Sequence, residues 1–166
     1  MRHIIAILLQ NEAGALHRVA GLFSTRGYNI ESLSVAPTDD ATVSRITLVT
    51  RGSDSVVQQI VAQLNKLVDV VRVDDMTGGE HIERELVLLK LRLDGVDREA
   101  VRDAANKAGG RVLDPSPEGF VVELVANETE VQQFVAQMAS LGELTEVVRS
   151  GALGISRDTR SLRVVV

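Results

Sequence analysis

The sequence of 166 residues contains no cysteine and no tryptophan, and it has only one tyrosine and three phenylalanines. The absence of cysteine excludes disulfide bonds, thiolate catalysis and metal sites that depend on cysteine ligands. With 2% aromatic residues, the chain has few platforms on which nucleic-acid bases or sugars could stack. Its hydrophobic core must therefore be built from valine, leucine, isoleucine and alanine.

The charge balance is acidic, with 18 basic and 23 acidic residues and a formal net charge of −5. This excess of negative charge argues against a nucleic-acid or anionic-membrane partner. The apolar run Ile4–Leu9 is too short for a signal sequence or a membrane span. We therefore expect a soluble, cytoplasmic protein that binds neither nucleic acid nor membrane.

The hydrophobic pattern changes period along the first half of the chain. A continuous apolar run predicts an inner strand, and apolar residues at helical spacing then predict a helix that ends before Gly27. Two alternating segments, a second amphipathic helix and a last strand follow. The predicted strands are Ile4–Leu9, Ile30–Pro37, Val43–Thr50 and Val68–Met76, in the order βαββαβ.

The same order recurs after a break at Thr77–Glu80. Asp97 is placed to cap one helix, and Asn127 with Glu130 forms a capping-box pattern for the other. We predict an α+β protein of two tandem ferredoxin-like βαββαβ domains, each an antiparallel sheet with helices on one face. The predicted boundaries are residues 1–77, a linker at 78–84, a second domain at 85–150 and a tail at 151–166 with little core.

A search for catalytic patterns finds none. The three histidines, His3, His17 and His81, share no metal-binding spacing, and solvated or capping roles are expected for them. The sequence also lacks a phosphate-binding loop, a dinucleotide fingerprint and a nucleophile elbow. We therefore expect no catalytic residues, no metal and no cofactor in this chain, which points to a binding or regulatory protein rather than an enzyme.

The best candidate site is the strand-to-helix junction Gln10–Leu16. The start of a helix offers unpaired N–H groups and a positive dipole end, which suit a carboxylate. Gly14 would allow a ligand to approach the backbone, and Asn11 would offer an amide oxygen to an ammonium group. Such a junction could hold an amino-acid zwitterion. Alternatively, Asn11 caps the helix and Gly14 only relieves crowding, and composition alone favours this second interpretation.

These residues resemble a known family, the small regulatory subunits of acetolactate synthase (acetohydroxyacid synthase), whose first half is an ACT domain. The block Arg26–Leu33, which reads RGYNIESL, is specific to that family rather than general to ACT domains. The resemblance covers nearly the whole chain. It rests on the segments Leu9–Val19, Leu22–Leu33, Val35–Thr38, Lys66–Val70, Glu83–Leu86 and Glu146–Gly151.

The resemblance implies a non-catalytic homodimer that activates a separate catalytic (large) subunit and makes it sensitive to feedback inhibition by L-valine. That catalytic subunit, which would hold thiamine diphosphate, Mg²⁺ and FAD, begins branched-chain amino-acid synthesis by condensing 2-oxo acids. Valine is expected at the interface between two ACT domains paired side by side. The implied valine-binding residues are Asn11, Ala13, Gly14, Ala15 and Leu16 of one copy, with Asn29 and Ile30 of the other.

Three alternatives remain beside this interpretation. The order βαββαβ is also that of RNA-recognition sheets, but the third strand Val43–Thr50 has no aromatic residue and the chain is acidic. An enzyme could hide a catalytic triad that the sequence alone does not reveal. The closest alternative is an ACT-type amino-acid sensor of another metabolic enzyme, which would share the fold and the site but not the partner.

Overall fold

The protein is described here from a computed structural model that covers residues 1–159 and 162. The chain forms two compact units, one of Met1–Ile82 joined by the described residues from Ala152 onward, and one of Glu83–Gly151. Each unit contains a four-stranded antiparallel arrangement with two helices, so the predicted α+β tandem is confirmed. No helix within the described residues is long and apolar enough to cross a membrane.

The first unit places its longest apolar strand in the middle of its sheet, in the strand order β2-β3-β1-β4. Ile5, Ile7 and Leu9 on one face of β1 pack against both helices. Ile4 and Ala6 on the opposite face join a second core cluster. The elements are β1 (Arg2–Gln10), α1 (Ala15–Thr25), β2 (Ile30–Pro37), β3 (Val43–Arg51), α2 (Asp54–Leu64) and β4 (Val70–Asp75).

The second unit repeats this architecture in the strand order β6-β7-β5-β8. The predicted helix caps are confirmed: the Asp97 carboxylate accepts a hydrogen bond from the Glu99 N–H, and Asn127 and Glu130 form a reciprocal capping box. The elements are β5 (His81–Arg92), α3 (Arg98–Lys107), β6 (Arg111–Asp114), β7 (Phe120–Ala126), α4 (Glu128–Leu141) and β8 (Glu143–Arg149).

Two predicted connecting segments prove to be structured. Strand β5 begins at His81, so most of the predicted linker 78–84 belongs to a strand. The predicted tail contains a short strand, β9 (Leu153–Ser156), which pairs with β5 and follows the buried residue Ala152. Ala152 joins the core cluster on the face of β1 that carries Ile4. Residues 160, 161 and 163–166 of the predicted tail lie outside the described residues.

Candidate functional site

The junction between β1 and α1 is shaped by a glycine in the left-handed conformation. Gly14 has φ 87° and ψ −12° and occupies the N-cap position of α1, without a side-chain hydrogen bond to the helix. Asn11 instead faces the β2–β3 turn, where its N–H donates to Thr42 O at 2.7 Å and its Nδ2 donates to Ala41 O at 2.9 Å. The interpretation that Asn11 caps α1 is therefore wrong.

The start of α1 differs from that of every other helix in the described chain. Ser53, Asp97 and Asn127 cap α2, α3 and α4 with side-chain oxygens, and each of those helices has an acidic residue in its first turn. Helix α1 has neither a side-chain cap nor an acid in its first turn. The Ala15 N–H already donates to Glu12 O at 3.2 Å, so the N–H groups of Leu16 and His17 and the positive end of the helix dipole are what this helix start offers to an external anion.

A positive charge lies beside this helix start. The Arg18 guanidinium makes two hydrogen bonds to the Asp69 carboxylate, from Nε to Oδ2 and from Nη2 to Oδ1, the second at 2.8 Å. These bonds lower the pKa of the Asp69 carboxyl below its ordinary value and raise the pKa of Arg18. The negative charge of Glu12 raises the pKa of Arg18 further, by a smaller effect. Arg18 also covers Gly14, because a Cβ placed on Gly14 would lie 2.8 Å from Arg18 Nη1.

The predicted site residues fall at two opposite ends of the first sheet. Gln10, which precedes the junction, pairs with Val43, whereas Ile30 pairs with Thr50 at the other end of β3. At roughly 3.3 Å per residue, these ends are about 23 Å apart along the strand. Asn29 is fixed at the far end, where its carbonyl accepts a hydrogen bond from Thr50 Oγ1 at 2.6 Å. One copy of the chain therefore does not bring the two groups together.

Within the junction itself, the predicted residues differ in accessibility. Ala15 is buried in the helix-side core, so its side chain supports the fold and only its backbone belongs to the site. Asn11, Ala13, Gly14 and Leu16 are exposed. The contribution of Arg18 and Asp69 was missed by sequence reasoning. The signals that could have found Arg18 are its spacing of four residues from Gly14 and its place one turn into the helix.

The three histidines have different surroundings. His3 is only 3% exposed, with Nε2 3.5 Å from Asp54 Oδ1 and Nδ1 3.7 Å from Asp75 Oδ2, so the solvated role expected for it is wrong. His17 is exposed, and His81 Nδ1 lies 3.1 Å from Gly79 O. No cluster of three or more metal-binding side chains occurs among the residues that the structure describes.

Fold and junction together define a tandem ferredoxin-like protein whose first unit is an ACT domain. Residues 5–72 match the family model described as the AHAS small subunit-like ACT domain, and residues 84–158 match that of the small subunit of acetolactate synthase. The chain belongs to the family of acetolactate synthase small subunits.

Individual relatives agree with this assignment over nearly their full lengths. The chain is 46% identical to the acetolactate synthase isozyme 3 small subunit of Salmonella typhimurium and 45% identical to that of Escherichia coli, covering 98% of this chain and 100% of each relative. The crystal structure of the acetolactate synthase small subunit from Thermotoga maritima superposes with a TM-score of 0.86 at 29% identity. That match covers 96% of this chain and 99% of the Thermotoga chain.

Proposed function

We propose that this chain is the regulatory subunit of an acetolactate synthase. It activates the thiamine-diphosphate-dependent catalytic subunit and makes that subunit sensitive to inhibition by valine. Family membership over both units supports the choice of partner. The observation that carries the ligand class is the start of α1, which has no side-chain cap, no acid in its first turn and a glycine at the N-cap. Thiamine diphosphate, Mg²⁺ and FAD belong, in this proposal, to the catalytic subunit.

The ligand groups of valine match the groups that the junction offers. The carboxylate would accept hydrogen bonds from the N–H groups of Leu16 and His17 at the start of α1, where the helix dipole is positive. The bond from Asn11 to Ala41 uses the donor end of the amide, which leaves the acceptor Oδ1 for the ammonium group. The isopropyl group would contact two side chains: the exposed Leu16 of one copy and Ile30 of a second copy.

A second copy of the chain is part of this proposal because the two groups of site residues lie at opposite ends of one sheet. A twofold axis beside β2 would place the start of β2 of one copy next to the α1 junction of the other. The same contact then occurs twice, as an isologous interface requires. Strand β2 lies at the edge of the four-stranded sheet, so its outer side can accept such a neighbour.

Regulation follows if valine binds one arrangement of the two copies better than another. A ligand shifts an equilibrium only by the difference in its affinities for the two states. In this proposal valine stabilises a pairing of ACT domains that withdraws the contact by which the small subunit supports the active catalytic subunit. Valine, an end product of the pathway, then limits the first committed condensation of 2-oxo acids in the cytoplasm.

The test is acetolactate formation by the catalytic subunit, with and without this chain, across a titration with L-valine. We expect the chain to stimulate the reaction and valine to reverse that stimulation. No stimulation by a folded chain, combined with an increase in its melting temperature by valine, would leave an amino-acid sensor of another enzyme. The absence of both effects would contradict the proposed ligand as well as the proposed partner.

A further inference from the structure

Helix α1 carries a cationic side chain toward the place where the ligand carboxylate is proposed to bind. Arg18 lies four residues after Gly14, and side chains on a helix point back toward its N-terminus. The guanidinium consequently covers the N-cap, at 2.8 Å from the position of a Cβ on Gly14. The Arg18 side chain is 44% exposed, so a small ligand can reach it.

Asp69 fixes the orientation of this guanidinium. Its carboxylate is only 7% exposed and accepts from Nε and Nη2 of Arg18. The backbone holds Asp69 in place as well, because the N–H of Gln10 at the end of β1 donates to Asp69 O at 2.8 Å. The two hydrogen bonds to Asp69 use one edge of the guanidinium, so Nη1, the nitrogen nearest Gly14, keeps its N–H groups for another acceptor.

We propose that Arg18 binds the carboxylate of the amino-acid ligand through Nη1, and that Asp69 is the positioning residue that holds Arg18 in place. This inference rests on the proposed ligand site at Gly14. A carboxylate at the N-cap would accept from the N–H groups of Leu16 and His17 on one side, since the Ala15 N–H already donates to Glu12 O, and from the guanidinium on the other. The planar guanidinium suits both tasks, since it can hold one carboxylate with one edge and donate to a second with the remaining nitrogen. Arg18 thereby makes the site selective for ligands with a free carboxylate.

The experiment compares ligands and variants in the same inhibition assay. L-Valine is titrated beside L-valinol, in which a hydroxymethyl group replaces the carboxylate, and each inhibition curve is normalised to the variant's own stimulated rate. Charged hydrogen bonds are strong enough that losing one costs about 10-fold or more in affinity. We expect Arg18→Gln to raise the half-inhibitory concentration of valine by about that factor and to leave that of valinol within about twofold.

Two further variants keep the test decisive. Arg18→Gln leaves the buried Asp69 carboxylate unpaired and can weaken the fold. The double variant Arg18→Gln/Asp69→Asn removes both charges together, and it should lose as much valine sensitivity as Arg18→Gln alone. Arg18→Lys retains the positive charge but cannot bind Asp69 through two nitrogens at once, so it should keep part of the sensitivity to valine. The matched control is Arg26→Gln, an exposed arginine at the far end of the same helix.

The outcomes separate this inference from the proposed function. If wild-type chain is inhibited by valine and the double variant is inhibited at the same concentration within twofold, Arg18 does not bind the carboxylate and the proposed function stands. If valine and valinol lose potency equally in Arg18→Gln, the arginine acts only on the structure of the site, which also overturns the inference. A wild-type chain that does not respond to valine would instead contradict the proposed function itself.

Discussion

At the scale of single residues, Gly14 combines two requirements that other residues cannot meet together. Its positive φ of 87° favours glycine, and a Cβ would approach Arg18 Nη1 to 2.8 Å. Both requirements arise because the chain turns sharply at Gly14 between strand β1 and helix α1. The absence of a side chain on Gly14 is therefore what lets the Arg18 guanidinium lie over the start of α1.

Gly14→Asp should abolish inhibition by valine. The new carboxylate would lie beside Arg18 and the start of α1, where it would take the place of the ligand carboxylate and repel it. We expect the half-inhibitory concentration of valine to rise at least about 10-fold, measured relative to the variant's own stimulated rate. The left-handed backbone should also reduce stability by about 1 kcal/mol.

Two variants control for that backbone strain. Gly14→Ala carries the same strain without a charge and should lose less valine sensitivity than Gly14→Asp. Gly109→Asp places a carboxylate at another glycine of positive φ, 83°, with open space around its Cβ, and should leave valine inhibition unchanged. A Gly14→Asp chain that valine still inhibits normally would show that the ligand binds elsewhere.

Only part of the candidate site could be predicted from the sequence. Asn11 and Gly14 were identifiable because they lie in a polar junction between an apolar strand and an amphipathic helix. The pairing of Arg18 with Asp69 was not, because 51 residues separate them and no local pattern links a helix residue to the residue before β4. The direction of the Asn11 amide also depends on Ala41, which approaches only after β2 and β3 have paired.

At the scale of elements, the two units repeat one order but differ where a ligand would bind. In the second unit, the strand-to-helix junction that corresponds to Gly14 ends in Asp97, whose carboxylate caps α3, and Glu99 follows in the first turn. The Asp97 side chain already accepts from that helix start, and the two negative side chains would repel a carboxylate ligand. The proposed carboxylate site therefore has no counterpart at this junction of the second unit.

Strand β9 shows where pattern-based prediction of elements failed. The core elements were predicted to within a few residues because their apolar spacing matches strand or helix periods over six or more residues. Three of the five residues from Ala152 to Ser156 are small, and too few are apolar to show a period. Gly154 packs closely against Met76 and Ile4 within the first unit, since a Cβ there would lie 2.6 Å from Met76 Cε and 2.9 Å from Ile4 Cδ1.

Gly154→Ala should therefore destabilise the first unit. The added methyl group would overfill a packed contact, which typically costs about 1–3 kcal/mol. Because the atoms it meets are the ends of the Met76 and Ile4 side chains, we expect a loss of about 1 kcal/mol, measurable as a lower midpoint of urea unfolding. Gly21→Ala is the matched control, because its Cβ would meet nothing within 4 Å inside α1, and alanine should stabilise a helix interior by about 0.5–1 kcal/mol. Equal stability of Gly154→Ala and wild type would mean that β9 moves away at little cost.

At the scale of the whole molecule, the proposed valine site exists only when two copies meet. The distance of about 23 Å between the two ends of β3 separates the junction at Gly14 from Asn29 and Ile30 within one copy. Ligand binding and dimerisation are then linked: a ligand that binds only the dimer must favour it, and dilution of the chain must weaken the ligand.

This linkage predicts the effect of a change on β2 that touches neither end of the sheet. Val35 is 45% exposed on that edge strand, and Val35→Lys should prevent pairing, since a lysine on an edge strand opposes the approach of another strand. At concentrations where the proposal requires wild type to be a dimer, we expect analytical ultracentrifugation to show a Val35→Lys monomer, and valine inhibition to be lost with the dimer. Val68→Lys, at an 85% exposed position before β4, should change neither property. If Val35→Lys remained a dimer with normal valine sensitivity, the two copies would have to pair through another surface, and the far-end residues Asn29 and Ile30 would lose their place in the site.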